Sequence, residues 1–171
     1  MIGAFPGYAF APNSAPAKTG RNGLLPMTSD PSGKNNPLPF FVYGTLRPGE
    51  INYRHLLAGR TVSEIPARIT GRLYQVREED YPYVLEGDGL VQGEVIEIQP
   101  DLYNATLRTI DGLEDYWPED EAASLYLRRP IETFLENGQN LTAWVYLWNS
   151  PERPGIFLPH GDFRRRSESI G

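Results

Sequence analysis

Phe40-Phe41-Val42-Tyr43-Gly44-Thr45-Leu46-Arg47-Pro48-Gly49-Glu50 constrains this chain more than any other stretch. A run of β-branched and aromatic residues breaks directly into glycine, threonine and a Pro-Gly pair. That pattern is a buried strand entering a tight loop. Backbone N–H groups in such a loop have no ladder partner, and an anionic or carbonyl-bearing ligand is one group that satisfies them. A strand that simply ends in a solvated turn is the other reading of the same residues.

Composition narrows the chemistry. A chain of 171 residues can bury one substantial core, and 40% apolar with 12% aromatic residues suits a β-rich domain. A formal net charge of -6 and a sequence pI near 5.0 argue against a nucleic-acid surface, which is usually basic. There is no cysteine, so disulfides, thiol nucleophiles and thiolate metal sites are excluded. His55 and His160 lie far apart, leaving a histidine metal cluster or a Ser-His-Asp triad poorly supplied. No run reaches the ~18 apolar residues of a membrane span, and no secretory signal pattern is present. These features lead us to expect a cytoplasmic protein with no metal site, no membrane or nucleic-acid partner, and a monomeric or weakly dimeric state.

Residues 1–39 read as a disordered leader, with prolines at 6, 12, 16, 26, 31, 37 and 39 and no periodicity. Such a segment buries too little surface to offset its ordering entropy, although Phe5, Tyr8 and Phe10 could dock elsewhere. Residues 40–163 form the expected domain, and 164–171 a solvated basic tail headed by Arg164-Arg165-Arg166. Within the domain, 51–59 predicts a short helix whose face is Tyr53, Leu56 and Leu57. Residues 67–76 and 90–98 predict strands, with Tyr81-Pro82-Tyr83 and Glu86-Gly87-Asp88-Gly89 as loops between them. Gly93, inside the second strand, marks a bulge or a close backbone approach. Pro100 and Asp101 open a helix whose buried stripe is Leu102, Ala105, Thr106, Thr109, Ile110 and Leu113, with Gly112 ending its regular part. Residues 125–134 and 141–148 predict two strands around the turn 136–139, the second apolar on one parity and aromatic on the other. Strands dominate without βαβ alternation. The expected fold is α+β: a small mixed, mostly antiparallel β-barrel flanked by short helices.

Asp111, Glu114, Asp115, Glu119, Asp120 and Glu121 crowd one segment. Most read as a solvated acidic loop, and the spacing fits no EF-hand. Glu114 stands apart because it follows the end of the predicted buried stripe, where a helix exit can carry a carboxylate inward. Desolvated there, its pKa would rise toward the range of a general base. Glu94, inside a strand, is better read as structural. Tyr43 to Arg47 is not a P-loop, since no G-x-x-x-x-G-K-[ST] spacing is present.

Val42-Tyr43-Gly44-Thr45-Leu46-Arg47-Pro48-Gly49 followed by Asn52 resembles the signature of the γ-glutamylcyclotransferase-like family, which includes AIG2-like proteins and γ-glutamylamine cyclotransferase. Gly71-x-Leu73-Tyr74, Gly93-Glu94-Val95, Ile110-Asp111-x-x-Glu114-x-Tyr116, Tyr126-x-Arg128, Ala143-Trp144-Val145-Tyr146 and Gly161-Asp162-Phe163 follow in the family's order. The resemblance implies that Glu114 is the catalytic acid/base and that Tyr43, Gly44, Thr45 and Leu46 hold a γ-glutamyl group, with Tyr126 closing the pocket. Arg47 and Arg128 are secondary candidates, Arg128 countering an acid or fixing its strand. Two residues depart from the pattern: Asp115 stands where the family usually has glycine, and Phe163 where it has tryptophan. A carboxylate at 115 could disturb Glu114.

The implied reaction is intramolecular. The α-amine of a γ-glutamyl amine or peptide attacks its own γ-carbonyl, releasing 5-oxoproline and the free amine, and no cofactor is needed. The competing reading is a non-catalytic module on the same fold that binds a small ligand or a protein. A γ-glutamyl lyase step differing only in its leaving group is a third.

Overall fold

The computed structural model describes residues 27–29, 35–76 and 79–169. The leader reading therefore lies mostly outside the described residues. Its end does not fit a free leader, since β1 (Met27–Ser29) pairs antiparallel with β2 (Asn35–Pro37). Leu38 is buried, its carbonyl accepts from the Tyr103 hydroxyl at 2.8 Å, and the Pro39 carbonyl accepts from Trp144 N–H at 2.8 Å.

The domain is a closed five-stranded mixed barrel with two helices. β3 (Phe40–Val42) lies antiparallel to β5 (Pro82–Ile98) and parallel to β7 (Asn140–Trp148), with Phe40 opposite both Ile96 and Trp144. β7 runs antiparallel to β6 (Tyr126–Leu135), which reaches β4 (Thr61–Val76) at Ala67 opposite Leu135. β4 pairs with β5 and closes the ring, while β8 (Gly155–Phe157) adds to the end of β4. Strand parity separates two cores. Phe40, Ile96, Trp144 and Tyr146 pack with Tyr103 and Ile110 of α2 (Tyr103–Leu113). Phe41, Val95, Ala143 and Val145 join Ile69 and Leu73 in the second core. Both faces of β7 are thus covered, as its double apolar pattern predicts.

Several boundaries differ from the sequence reading. α1 is Ile51–Leu56, and Gly59 follows at φ +77. β4 begins six residues early. β5 starts at Pro82, so Pro82 and Tyr83 are strand residues rather than loop. Leu85 pairs with Arg72 and Leu90 with Thr70, so residues 86–89 stand opposite Gly71 alone, a wide excursion inside a strand. Gly93 behaves as predicted, because a Cβ there would lie 2.2 Å from the Val42 carbonyl oxygen. α2 starts at Tyr103 because Gln99–Leu102 closes a turn first, and Asp101 does not cap it. Its buried face is Tyr103, Thr106, Leu107 and Ile110. Leu113 is 40% exposed, and the helix runs past Gly112. Among the described residues no helix is long and apolar enough to cross a membrane.

The basic tail is not a free terminus. Residues Phe163–Ser169 form 3-10 turns kinked at Arg165. Phe163, in the position of the family tryptophan, is fully buried, and Arg164 and Arg166 hold ion pairs described below.

Candidate active site

The loop after β3 is fixed from both sides. Arg47 N–H donates to the Gly44 carbonyl at 3.0 Å, and the Thr45 carbonyl accepts from the N–H groups of Asn52 and Tyr53 at the start of α1. Asn52 Nδ2 also donates to Thr45 Oγ1 at 2.8 Å. Among the described residues, the N–H groups of Gly44, Thr45 and Leu46 find no protein acceptor. They are a short row of backbone donors on a rigid turn, the arrangement that stabilises a developing oxyanion. Gly44 has no room for a side chain, since a Cβ would meet Pro82 Cγ at 2.5 Å. At the root of the loop, the buried Tyr43 hydroxyl donates to the Tyr146 carbonyl at 2.6 Å.

Glu114 caps α2, its N–H bonded to the Ile110 carbonyl at 2.9 Å. Its carboxyl has no hydrogen-bonding or ion-pairing partner among the described residues. Part of it still reaches solvent, but protein encloses the remainder. That desolvation, followed by the nearby charge of Asp111, pushes its pKa up to about 8. Tyr43, Tyr126 and Tyr146 are raised well above the usual tyrosine value, mainly by burial, and the Glu114 charge contributes to each. Glu114 is thus electrostatically coupled to Tyr43, Tyr126 and Tyr146. Tyr126 is tied down by donating to the Pro82 carbonyl at 2.9 Å.

Asp111, read from sequence as one of a solvated group, is half-buried and bound. Arg128 Nη1 donates to both its oxygens at 2.8 Å, and the Tyr146 hydroxyl donates to Oδ1 at 2.6 Å. Arg128 lies over the rings of Tyr116 and Trp144. Arg128 thus pairs with an acid, Asp111.

Asp115 turns away from Glu114 and accepts from Trp117 Nε1 at 2.8 Å. Its φ of +50 explains why glycine suits this position: it is the left-handed residue after a helix, where aspartate is tolerated better than most.

Arg47 does not reach Glu114. It is buried in a square of charges that the sequence reading missed, donating to Glu94 through Nε at 2.7 Å and Nη2 at 3.0 Å, and to Asp162 through Nη1 at 2.5 Å. Arg164 completes the square through Glu94 Oε1 at 2.9 Å. The four partners come from positions 47, 94, 162 and 164, so no local spacing could have revealed them.

The domain is thus a closed mixed barrel with one desolvated glutamate at the end of α2 and a loop of unpaired backbone donors after β3. The comparisons are more specific. The model of the family described as gamma-glutamyl cyclotransferase, AIG2-like matches residues 40–165, and the chain belongs to that family. It is 34% identical over 109 residues to the gamma-L-glutamyl-butirosin B gamma-glutamyl cyclotransferase of Niallia circulans, a match covering 64% of this chain and 65% of that one. A Vibrio cholerae serotype O1 protein, provisionally named a gamma-glutamylcyclotransferase, is 32% identical over 126 residues, covering 74% of this chain and 95% of the other. In fold it is similar to the AIG2-like protein of Mus musculus, with TM-score 0.55 and 22% identity over 73% of this chain and 86% of that one.

Proposed function

We propose that the protein is a γ-glutamyl cyclotransferase that releases 5-oxoproline from a small γ-glutamyl amine or peptide. The observation that carries this reading is the unpaired Glu114 carboxyl, raised to about 8 and electrostatically coupled to Tyr43 at the root of the loop whose N–H groups are unsatisfied. The Niallia circulans relative, named for a γ-glutamyl substrate, supports the reaction class.

In this reading the substrate supplies its own nucleophile. Glu114 takes a proton from the α-ammonium, and the freed amine attacks the γ-carbonyl. The new C–N bond closes a five-membered ring, and the negative charge on the carbonyl oxygen is met by the Gly44–Leu46 N–H groups. As the original amide bond breaks, Glu114 returns its proton to the leaving nitrogen, and the second proton on the ring nitrogen passes to the freed amine, so the products are the neutral lactam and an ammonium. Intramolecular attack held in geometry is worth ~7–11 kcal/mol, and a single oxyanion donor ~10²–10³-fold in rate. Tyr126 closes the pocket beside the ring being formed.

The test is 5-oxoproline release from γ-glutamyl dipeptides, γ-glutamyl-ε-lysine, glutathione and simple γ-glutamyl amines. Release by the wild type that Glu114→Gln abolishes supports the reading. A folded protein inactive on the whole panel would favour the binding module.

A further inference from the structure

We propose that the C-terminal 3-10 segment, through Arg164 and Arg166, is a positioning element that holds the substrate loop in its working shape. The inference rests on the reading that the Tyr43–Leu46 loop binds substrate.

The segment grips both walls of the site. On one side Arg164 Nη1 donates to Glu94 Oε1 at 2.9 Å and Nη2 to the Pro48 carbonyl at 2.7 Å. Glu94 in turn holds Arg47, the residue that closes the turn on Gly44. Asp162 Oδ1 accepts from both Arg47 Nη1 and the backbone N–H of Arg164. Two cations and two anions therefore form a closed, charge-balanced unit, with Arg47 4% and Glu94 7% exposed. Such a unit has one good geometry, because both Glu94 oxygens and Asp162 Oδ1 are already committed.

On the other side Arg166 donates to both oxygens of Asp80 at 2.7 and 3.1 Å, and lies 3.8 Å from Glu50, which precedes α1. Its guanidinium rests on the Phe163 ring, 4.2 Å from the centroid, and Nη1 donates to the Phe163 carbonyl. Asp80 leads through Tyr81 into Pro82, the residue pressed against Gly44 and bonded to Tyr126. One short segment thus ties the far end of the loop, at Pro48 and Glu50, to the strand entry that packs on its near end.

This placement gives the arginines at 164 and 166 a role that their composition alone does not suggest. Neither touches the substrate. Each acts through backbone placement, where displacements well under 1 Å change catalysis while leaving the barrel intact.

The test uses the full chain carrying Arg164→Ala, Arg166→Ala or Arg164→Lys. Arg72→Ala, which breaks the exposed 2.8 Å pair with Asp88 that none of these residues joins, is the control. Arg164 is 40% exposed, so its loss leaves Glu94 paired with Arg47 and the fold standing. The two alanine variants are expected to lose about tenfold in kcat with KM changed less than about threefold. Arg164→Lys should recover only part, because an ammonium cannot span Glu94 and the Pro48 carbonyl as the fork does. In hydrogen exchange, the amides of 44–50 should exchange faster in Arg164→Ala while those of β6 and β7 keep wild-type rates. Unchanged kcat in both alanine variants of an active protein would overturn the inference and leave the proposed reaction standing. Should the wild type itself release no 5-oxoproline, that reading fails separately, and unaltered exchange at 44–50 would overturn the positioning role on its own.

Discussion

Asp111 sits one helical turn before Glu114, and its charge adds to burial in lifting the Glu114 carboxyl to about 8. Arg128 and Tyr146 bind Asp111 itself, so the like charge beside Glu114 is held in place. The pH profile of activity should therefore show a limb near 8, with kcat/KM falling about tenfold per pH unit below it. Asp111→Asn removes the like charge and leaves the Arg128 cation less compensated, so the limb should move to lower pH. A limb unmoved in Asp111→Asn would mean that burial alone sets the value.

Glu114→Gln should abolish turnover and leave the protein more stable at alkaline pH. The folded state holds the Glu114 proton up to about 8, whereas the unfolded chain releases it near 4.5. Between those values the folded protein binds more protons, so wild-type stability falls as pH rises, by about 1.4 kcal/mol for each pH unit of the difference. Thermal melts of the two proteins should nearly coincide at pH 4.5 and separate by pH 8.5, the variant melting higher. The opposite order would contradict the desolvated state of this carboxyl.

Gly44→Ala should damage the loop. The new Cβ would lie 2.5 and 2.7 Å from the Pro82 ring, which cannot swing aside as a flexible side chain would. Overpacking of this kind costs about 1–3 kcal/mol, and the displaced N–H groups should cost at least tenfold in kcat/KM. Denaturant melts and initial rates measured side by side check both numbers.

Asp115→Gly should leave activity within about twofold. The substitution relieves a left-handed φ of +50 while giving up the bond to Trp117, two effects of opposite sign of about 1 kcal/mol or less each. A large loss of rate would assign Asp115 a part in the chemistry.

The strand-to-loop stretch at Phe40–Glu50 was legible because its signal is local: apolar residues, then turn residues, with no long-range information required. The same holds for the alternation Ala67, Ile69, Leu73, which is buried as its period dictates. The inward turn expected of Glu114 rests on Leu113, which is 40% exposed, so that local reason fails. The groups electrostatically coupled to Glu114 include Tyr43, about seventy residues earlier, and Tyr126 and Tyr146 on the paired strands after it. Arg47 read as a secondary site candidate, Glu94 as a structural strand residue and Arg164 as part of a solvated tail, because a sequence does not display partners 47 or 70 positions apart. Gly87 and Gly89 read as a turn between strands, whereas the ladder resumes around them as a bulge, a distinction that depends on what β4 does opposite.

The parallel contact between β3 and β7 joins Phe40 to Trp144, the pairing without which the barrel stays open. Bringing together segments a hundred residues apart costs loop-closure entropy before any contact repays it, and folds dominated by such contacts form slowly. Glu114 and the donor loop both precede β7 in the chain, yet the barrel that carries them closes only when β7 is in place. During synthesis both candidate groups therefore exist for some time before the closed barrel that holds them does.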